Sequence, residues 1–237
     1  MQRKRVAALP RSLLYQSTPP QFGDICHLSH TALLCHHHLM TPTLDLKHAL
    51  FAEREASFFR LKGGFPIPLA GAVYWIMLGT VGYLTPNRQL WIFVAFWMSG
   101  IMFPIALLFA KLFRNNFMRE RTAVTDAIFP AFASMLLFWP IAISAWWTYP
   151  PIVPLILAIG MSTHWPIIGW MYGRTALFTT HAVVRAIACF ILWNWFPSTR
   201  FTLLPFTVAF IYLVTVIAIF FASSAKKHTP ATEALAS

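Results

Sequence analysis

Long apolar segments alternate with short polar stretches over most of the chain. Six of these segments have about the 20 residues that a helix needs to cross a hydrocarbon core about 30 Å thick. They are residues 65–84, 90–110, 127–147, 151–172, 175–196 and 202–222. Backbone groups that face lipid must be hydrogen-bonded within their own segment, so segments this long and apolar are expected to be helices. The pattern predicts an all-α integral membrane bundle of six transmembrane helices, spanning residues 65–222.

A more polar helix is predicted before the first span, and the pair Gly63 and Gly64 is expected to end it. Residues 43–62 mix acidic and basic side chains around a weak apolar stripe. Within that stripe Leu44, Phe51 and Phe58 recur every seven residues. A modest stripe of this kind is typical of a helix that lies in the membrane interface. We therefore interpret residues 40–64 as a cytoplasmic interfacial helix.

The two ends of the chain show no periodic apolar pattern. Near the start, Pro10 and Arg11 interrupt the sequence before an apolar core forms, which argues against a secretory signal. We interpret residues 1–39 as a disordered or non-native extension, with a mitochondrial transit peptide as the alternative, and residues 223–237 as a disordered cytoplasmic tail. The extension contains several candidate metal ligands whose spacing meets zinc-site patterns only loosely, so no metal site is predicted. These ligands are Cys26, His27, His30, Cys35, His36, His37 and His38.

Composition and charge support the membrane assignment and fix an orientation. The chain is 58% hydrophobic and only 11% charged, whereas soluble domains have about 25% charged residues. Its net charge of +11 comes from basic residues placed between apolar segments, so a nucleic-acid partner is not expected. Only Arg88 and Arg200 flank one end of the spans, and the positive-inside rule therefore predicts that both termini are cytoplasmic. The basic residues at the other end are Lys47, Arg54, Arg60, Lys62, Lys111, Arg114, Arg119, Arg121, Arg174, Lys226 and Lys227.

Spans four and five form a predicted hairpin around Gly173, with His164, His181 and Arg185 inside its apolar segments. The two histidines lie at similar distances from the turn, so they are expected at nearly equal depth. Arg185 follows His181 by four residues and therefore shares its helical face. A guanidinium at this depth costs roughly 3 kcal/mol on insertion scales, which makes it a functional candidate. Arg174 precedes His181 by seven residues and extends the same face.

Small residues and prolines near this hairpin suggest an enclosed polar site. Pro166 cannot donate a backbone hydrogen bond, so the Ser162 carbonyl is expected to be free beside Thr163. Gly169 and Gly173 are spaced to allow close helix approach. Two further prolines are expected to bend spans two and three. These are Pro104 and Pro140.

Three interpretations of these residues remain open. The first is a small carrier, channel or sensor that binds a compact anionic solute from the cytoplasmic side. The ligand-binding residues would be Arg185, His181, His164, Arg174, Ser162 and Thr163. The second is a structural or partner-binding bundle in which Arg185 clamps helices together, bonded to free carbonyls or paired with Asp126. The third is a b-type haem protein with His164 and His181 as axial ligands.

The sequence favours neither an enzyme nor a resident cofactor. It contains no HExxH, no G-x-S-x-G and no phosphate loop, so we lean against catalysis. The expected partners are the lipid bilayer, a small anionic solute and, because the spans are rich in small residues, a second copy of the chain.

The run HWPIIGWMYGRTALFTTHAVVRAIACF, residues 164–190, resembles a family of small bacterial integral membrane proteins catalogued as a domain of unknown function. The resemblance extends over about residues 50–222. It implies location in a bacterial inner membrane and Met40 as the natural start, and it implies no catalytic or binding residue.

Overall fold

A computed structural model describes residues 31–115, 122 and 124–224, with side chains from Leu44 onwards and at residue 122. By its internal contacts the chain divides into two units, residues 1–45 and 46–237, and all the membrane helices belong to the second. The candidate metal ligands of residues 26–38 and most of the two predicted disordered ends lie outside the described side chains.

The described part of the chain contains helices and turns and no strand. As predicted, six of its helical segments are long and apolar enough to cross a membrane. The chain is therefore a polytopic membrane protein. The helices are α1 Thr31–Arg60, α2 Pro66–Leu84, α3 Arg88–Leu112, α4 Ile128–Leu136, α5 Trp139–Thr148, α6 Val153–Gly160, α7 Trp165–Met171, α8 Thr175–Trp195 and α9 Arg200–Ser224.

The first helix begins earlier than predicted, at Thr31 rather than near residue 43. Residues 31–40 contain no glycine or proline, and the helix also includes Pro42. The helix ends at Arg60, and the residues that follow form the turn that connects it to α2. Lys62, Gly63 and Gly64 have φ values of 48°, 62° and 64°, in the left-handed region that ends helices.

Spans three and four are each made of two helices rather than one. Span three breaks between α4 and α5, just before Pro140, which lies in the first turn of α5. Span four breaks between α6 and α7, and Pro166 lies in the first turn of α7. The prediction of a free Ser162 carbonyl is wrong, because the Trp165 N–H donates to it at 3.1 Å. The chain tightens into a turn before the proline, and this brings a different donor within reach.

Close packing in the bundle depends on glycines that face large side chains. A Cβ on Gly71 of α2 would lie 2.8 Å from the ring of Tyr212 on α9, so only glycine permits this approach. A Cβ on Gly169 would lie equally close to the Cβ of Phe178 on α8, in line with the predicted role of this glycine in close helix approach. Gly173 acts differently, since its φ of 64° forms the turn between α7 and α8. Together these glycines bring α2, α7, α8 and α9 around one interior region.

Candidate functional site

Arg185 lies at the centre of the bundle, with none of its surface exposed. Its guanidinium carbon is 5.1 Å from the ring centre of Trp75 on α2 and 5.0 Å from that of Tyr212 on α9. One nitrogen, Nη1, donates a hydrogen bond of 2.8 Å to the Tyr212 hydroxyl. The side chain, which starts from α8, therefore contacts two other helices, α2 and α9.

The charge of Arg185 has no acidic partner among the described residues. Asp126 is exposed and makes no ion pair with Arg185, and the arginine donates to no main-chain carbonyl. Both partners suggested for an Arg185 clamp are therefore wrong. Two further nitrogens, Nε and Nη2, are buried without any hydrogen-bond partner. These two nitrogens form one edge of the planar guanidinium, the edge that binds carboxylates and phosphates in a fork-like manner.

His181 lies one turn away from Arg185 and is also buried. Its Nδ1 is 2.7 Å from the Thr215 hydroxyl of α9, and its ring centre is 4.8 Å from that of Tyr212. The other ring nitrogen, Nε2, is buried without a partner. The predicted pairing of His181 with Arg185 on one helical face therefore places both beside the same tyrosine.

His164 reaches the same region from the break between α6 and α7. It is buried, its ring lies 4.7 Å from that of Trp165, and its Nδ1 has no partner. The Trp165 ring lies 5.2 Å from that of His181, so both histidines contact one indole. A porphyrin could not lie between the two imidazoles without displacing Trp165, and this packing disfavours the haem interpretation.

We call Arg185, His181, His164, Trp75, Trp165 and Tyr212 the interior cluster. The other three predicted site residues lie outside it. The Arg174 guanidinium is half-buried and lies over the Phe58 ring at 5.0 Å. The Ser162 and Thr163 hydroxyls donate to carbonyls of the preceding turn, at 2.6 and 3.0 Å respectively.

The aromatic members of the cluster were not identified as site residues from the sequence. Trp75 and Tyr212 lie far from His181 along the chain, and no local spacing connects them. One signal was available, since tryptophan and tyrosine usually occupy the ends of membrane helices. Both residues instead lie near the middle of their spans, and such a position indicates a role inside the bundle.

A groove of about 230 Å³ between α8 and α9 leads towards the cluster. His181 belongs both to the groove lining and to the interior cluster, and Thr215, which its Nδ1 contacts, also lines the groove. The rest of the lining is mainly apolar. It consists of Leu177, Thr180, Val184, Phe210, Ile211, Val214 and Ala218.

A protein-family model described as a family of unknown function, DUF7010, matches residues 52–222. The match covers the membrane helices and the whole interior cluster, and it confirms the resemblance seen in residues 164–190. No curated protein and no solved structure matches the chain.

Proposed function

Because this chain belongs to the DUF7010 family, whose function is unknown, we propose its role from the geometry of the interior cluster. The protein binds a compact anionic solute inside the membrane bundle. Arg185 supplies the positive charge, and His181 supplies a neighbouring polar group. The observation that carries this proposal is a fully buried guanidinium whose Nε and Nη2 have no partner.

The energetics of a buried charge favour a ligand over packing alone. One hydrogen bond to a charged group contributes about 1.5–3 kcal/mol, and a desolvated cation–π contact contributes about 2 kcal/mol. These contacts offset part of the free-energy cost of burying the charge. Replacing buried charged groups with well-packed apolar residues often leaves the stability of a protein unchanged or raises it, so packing alone does not explain an arginine here. An oxyanion would use the two free N–H groups at once and neutralise the charge.

The size of the groove between α8 and α9 fits a small ligand, and its position offers that ligand a route to the interior cluster. Its volume of about 230 Å³ is below the roughly 300–1,000 Å³ of sites for drug-sized molecules. A carboxylate or another small oxyanion that passes Thr215 would meet His181 first and Arg185 next. We infer that the Lys62 end is cytoplasmic from the basic residues at that end. We infer a bacterial inner membrane from the resemblance of residues 164–190 to a family of bacterial membrane proteins.

The same cluster supports a second candidate, a structural bundle in which Arg185 holds three helices together. The observation in its favour is the set of contacts with Trp75 and Tyr212, which join α8 to α2 and α9. The two candidates differ in what happens when the charge is removed. A clamp predicts a loss of stability, whereas a solute site predicts a loss of binding in a folded protein.

The test measures thermal unfolding of purified protein in lipid nanodiscs against formate, acetate and phosphate at constant ionic strength. For the native chain we expect at least one of these anions to raise the unfolding temperature, because a ligand at 100 times its Kd stabilises by about 2.7 kcal/mol. Arg185→Met should remain folded and lose the response. The matched control Arg200→Met removes a guanidinium from the end of α9 and should keep it.

Two results would contradict the solute site. One is a native protein whose unfolding temperature no small anion changes. The other is a pair of variants in which Arg185→Met fails to fold, whereas Arg185→Lys folds but shows no response to anions. This pattern would indicate that Arg185 acts as a clamp between helices.

A further inference from the structure

A second and larger groove, of about 680 Å³, lies at the end of the bundle where α1 and α9 end and α2 begins. It shares no lining residue with the groove beside His181. The groove is therefore a separate feature from the interior cluster. Its lining consists of Phe59, Lys62, Phe65, Leu69, Phe113, Val216, Ile217, Phe220, Phe221, Ser223 and Ser224.

The lining is polar at the end of the bundle and apolar towards its middle. Lys62, Ser223 and Ser224 lie at the helix ends, whereas Leu69 and Val216 lie further along α2 and α9. At 1.5 Å per residue, Val216 lies about 12 Å along α9 from Ser224, or roughly four-fifths of the depth of one hydrocarbon leaflet. A groove of this form matches an amphiphile with its head group at the rim and a chain pointing inward.

The ammonium group at the rim is held by an unusual backbone. Lys62 has a φ of 48°, a left-handed conformation that costs a non-glycine residue energy and often marks functional positions. Its Nζ donates to the Phe113 carbonyl at 3.3 Å, and the preceding Leu61 carbonyl accepts a hydrogen bond of 2.7 Å from Asn115. Lys62 is thus fixed between α1 and the end of α3.

The contacts of Lys62 with the described residues do not neutralise its charge. The Lys62 ammonium has three N–H donors, and the single carbonyl that it contacts carries no formal charge. Among the described residues no carboxylate pairs with Lys62. Lys111 and Arg114, which flank Phe113 in sequence, are also exposed at this end of the bundle. The rim therefore favours an anionic head group.

We propose that this groove binds an anionic phospholipid, with its phosphate on Lys62 and an acyl chain along Leu69, Val216 and Ile217. The membrane that surrounds the helices supplies such a ligand at high local concentration. Each basic residue near a membrane surface contributes about 1 kcal/mol of attraction to anionic lipid. The apolar part of the groove adds the burial of a chain, which inorganic phosphate lacks.

The experiment purifies the full chain in nanodiscs that contain equal amounts of phosphatidylglycerol and phosphatidylcholine, and counts retained lipids by native mass spectrometry. The native protein should retain phosphatidylglycerol in preference to phosphatidylcholine. Lys62→Gln should reduce that preference about fivefold, which corresponds to about 1 kcal/mol, whereas Lys62→Arg should keep it. The control Lys47→Gln removes an exposed lysine of α1 outside the groove and should change nothing.

A second variant tests the apolar part of the groove. Ile217→Trp places a large side chain where the acyl chain would lie, and it should reduce retention of both lipids. The proposal is overturned if Lys62→Gln keeps the native preference for phosphatidylglycerol. It is also overturned if Lys47→Gln lowers the preference as much as Lys62→Gln does, because the preference would then come from the overall surface charge and not from the groove. Displacement of the lipid by inorganic phosphate would also overturn it, because it would assign the site to a free anion.

Discussion

Two arginines of this bundle make similar contacts in different surroundings. At the end of the bundle, the Arg200 guanidinium lies 4.2 Å from the Trp193 ring centre, and its Nε donates to the Trp193 carbonyl at 2.6 Å. In the interior, the Arg185 guanidinium lies 5.1 and 5.0 Å from two ring centres, yet its Nε has no partner. Arg200 is only half-buried, so its other donors can reach water or lipid head groups. Ring contacts and one hydrogen bond are therefore sufficient for Arg200, whereas in the interior they leave two donors of Arg185 buried without a partner.

A third arginine, Arg54, lies at the opposite end of the bundle and makes the same two contacts as Arg200. The Arg54 guanidinium lies 4.7 Å from the Trp170 ring centre, and its Nε donates to the Trp170 carbonyl at 2.5 Å. In both cases the tryptophan supplies a ring for the charge and a carbonyl for Nε. Trp75 supplies Arg185 with a ring alone. The missing acceptor at Arg185 is therefore specific to the interior, and a ligand could supply it.

The largest expected effect comes from removing the tryptophan beneath each arginine. Trp75 is fully buried, and Trp75→Ala should cost about 3–5 kcal/mol through the cavity and the lost ring contact. Trp193 is half-buried at the end of α8, and Trp193→Ala should cost about 1 kcal/mol. Unfolding in detergent against a denaturant measures both changes. Equal losses of stability would mean that the tryptophan beside a buried arginine contributes no more than the tryptophan at the end of the bundle.

The sequence predicts the helices of this fold well because bilayer thickness determines their length. The six spans agree with the observed segments, and Gly63 and Gly64 end α1 as expected. The shared position of His181 and Arg185 was also predictable, since residues four apart lie on one helical face. These successes rest on short-range rules that each apply within a single helix.

The remaining features depend on how helices pack against one another. In lipid, helix association is driven by small residues, shape and hydrogen bonds rather than by hydrophobicity, so hydropathy does not identify neighbours. Nothing near Arg185 in sequence indicates Trp75 or Tyr212. The wrong prediction for Ser162 has a local cause, since span four breaks into two helices and the turn between them brings the Trp165 N–H to the Ser162 carbonyl.

A smaller effect is expected from removing the one hydrogen bond of Arg185. Tyr212→Phe leaves the guanidinium with no acceptor among the described residues and should cost about 1.5–3 kcal/mol. In an Arg185→Met background the same change should cost nearly nothing, because the donor is gone. A double-mutant cycle in nanodiscs measures this coupling. A coupling close to zero would indicate that the arginine finds another acceptor when the tyrosine hydroxyl is removed.

The smallest effect is expected where charges meet at the surface. Glu53 and Arg60 of α1 form an ion pair of 2.7 Å, and both side chains are more than a third exposed. The hydrogen bond from Arg60 lowers the pKa of Glu53 below its usual range. The folded-state pKa is depressed, so the stabilisation is present above the unfolded pKa of about 4.3 and is lost as pH falls through the folded pKa. Exposed pairs contribute no more than about 1 kcal/mol.

The pH dependence of thermal unfolding tests this pair and completes the comparison with Arg185. Between pH 7 and pH 3 the native chain should lose slightly more stability than Glu53→Gln, which has no carboxylate to titrate there. High salt should weaken the native contribution, because solvent screens exposed charges. The Tyr212→Phe effect should be insensitive to a salt whose anion does not raise the native unfolding temperature, since Arg185 is fully buried. Identical pH profiles for the native chain and Glu53→Gln would show that the ion pair does not contribute to stability. A salt-sensitive Tyr212→Phe effect would indicate that Arg185 is in contact with solvent.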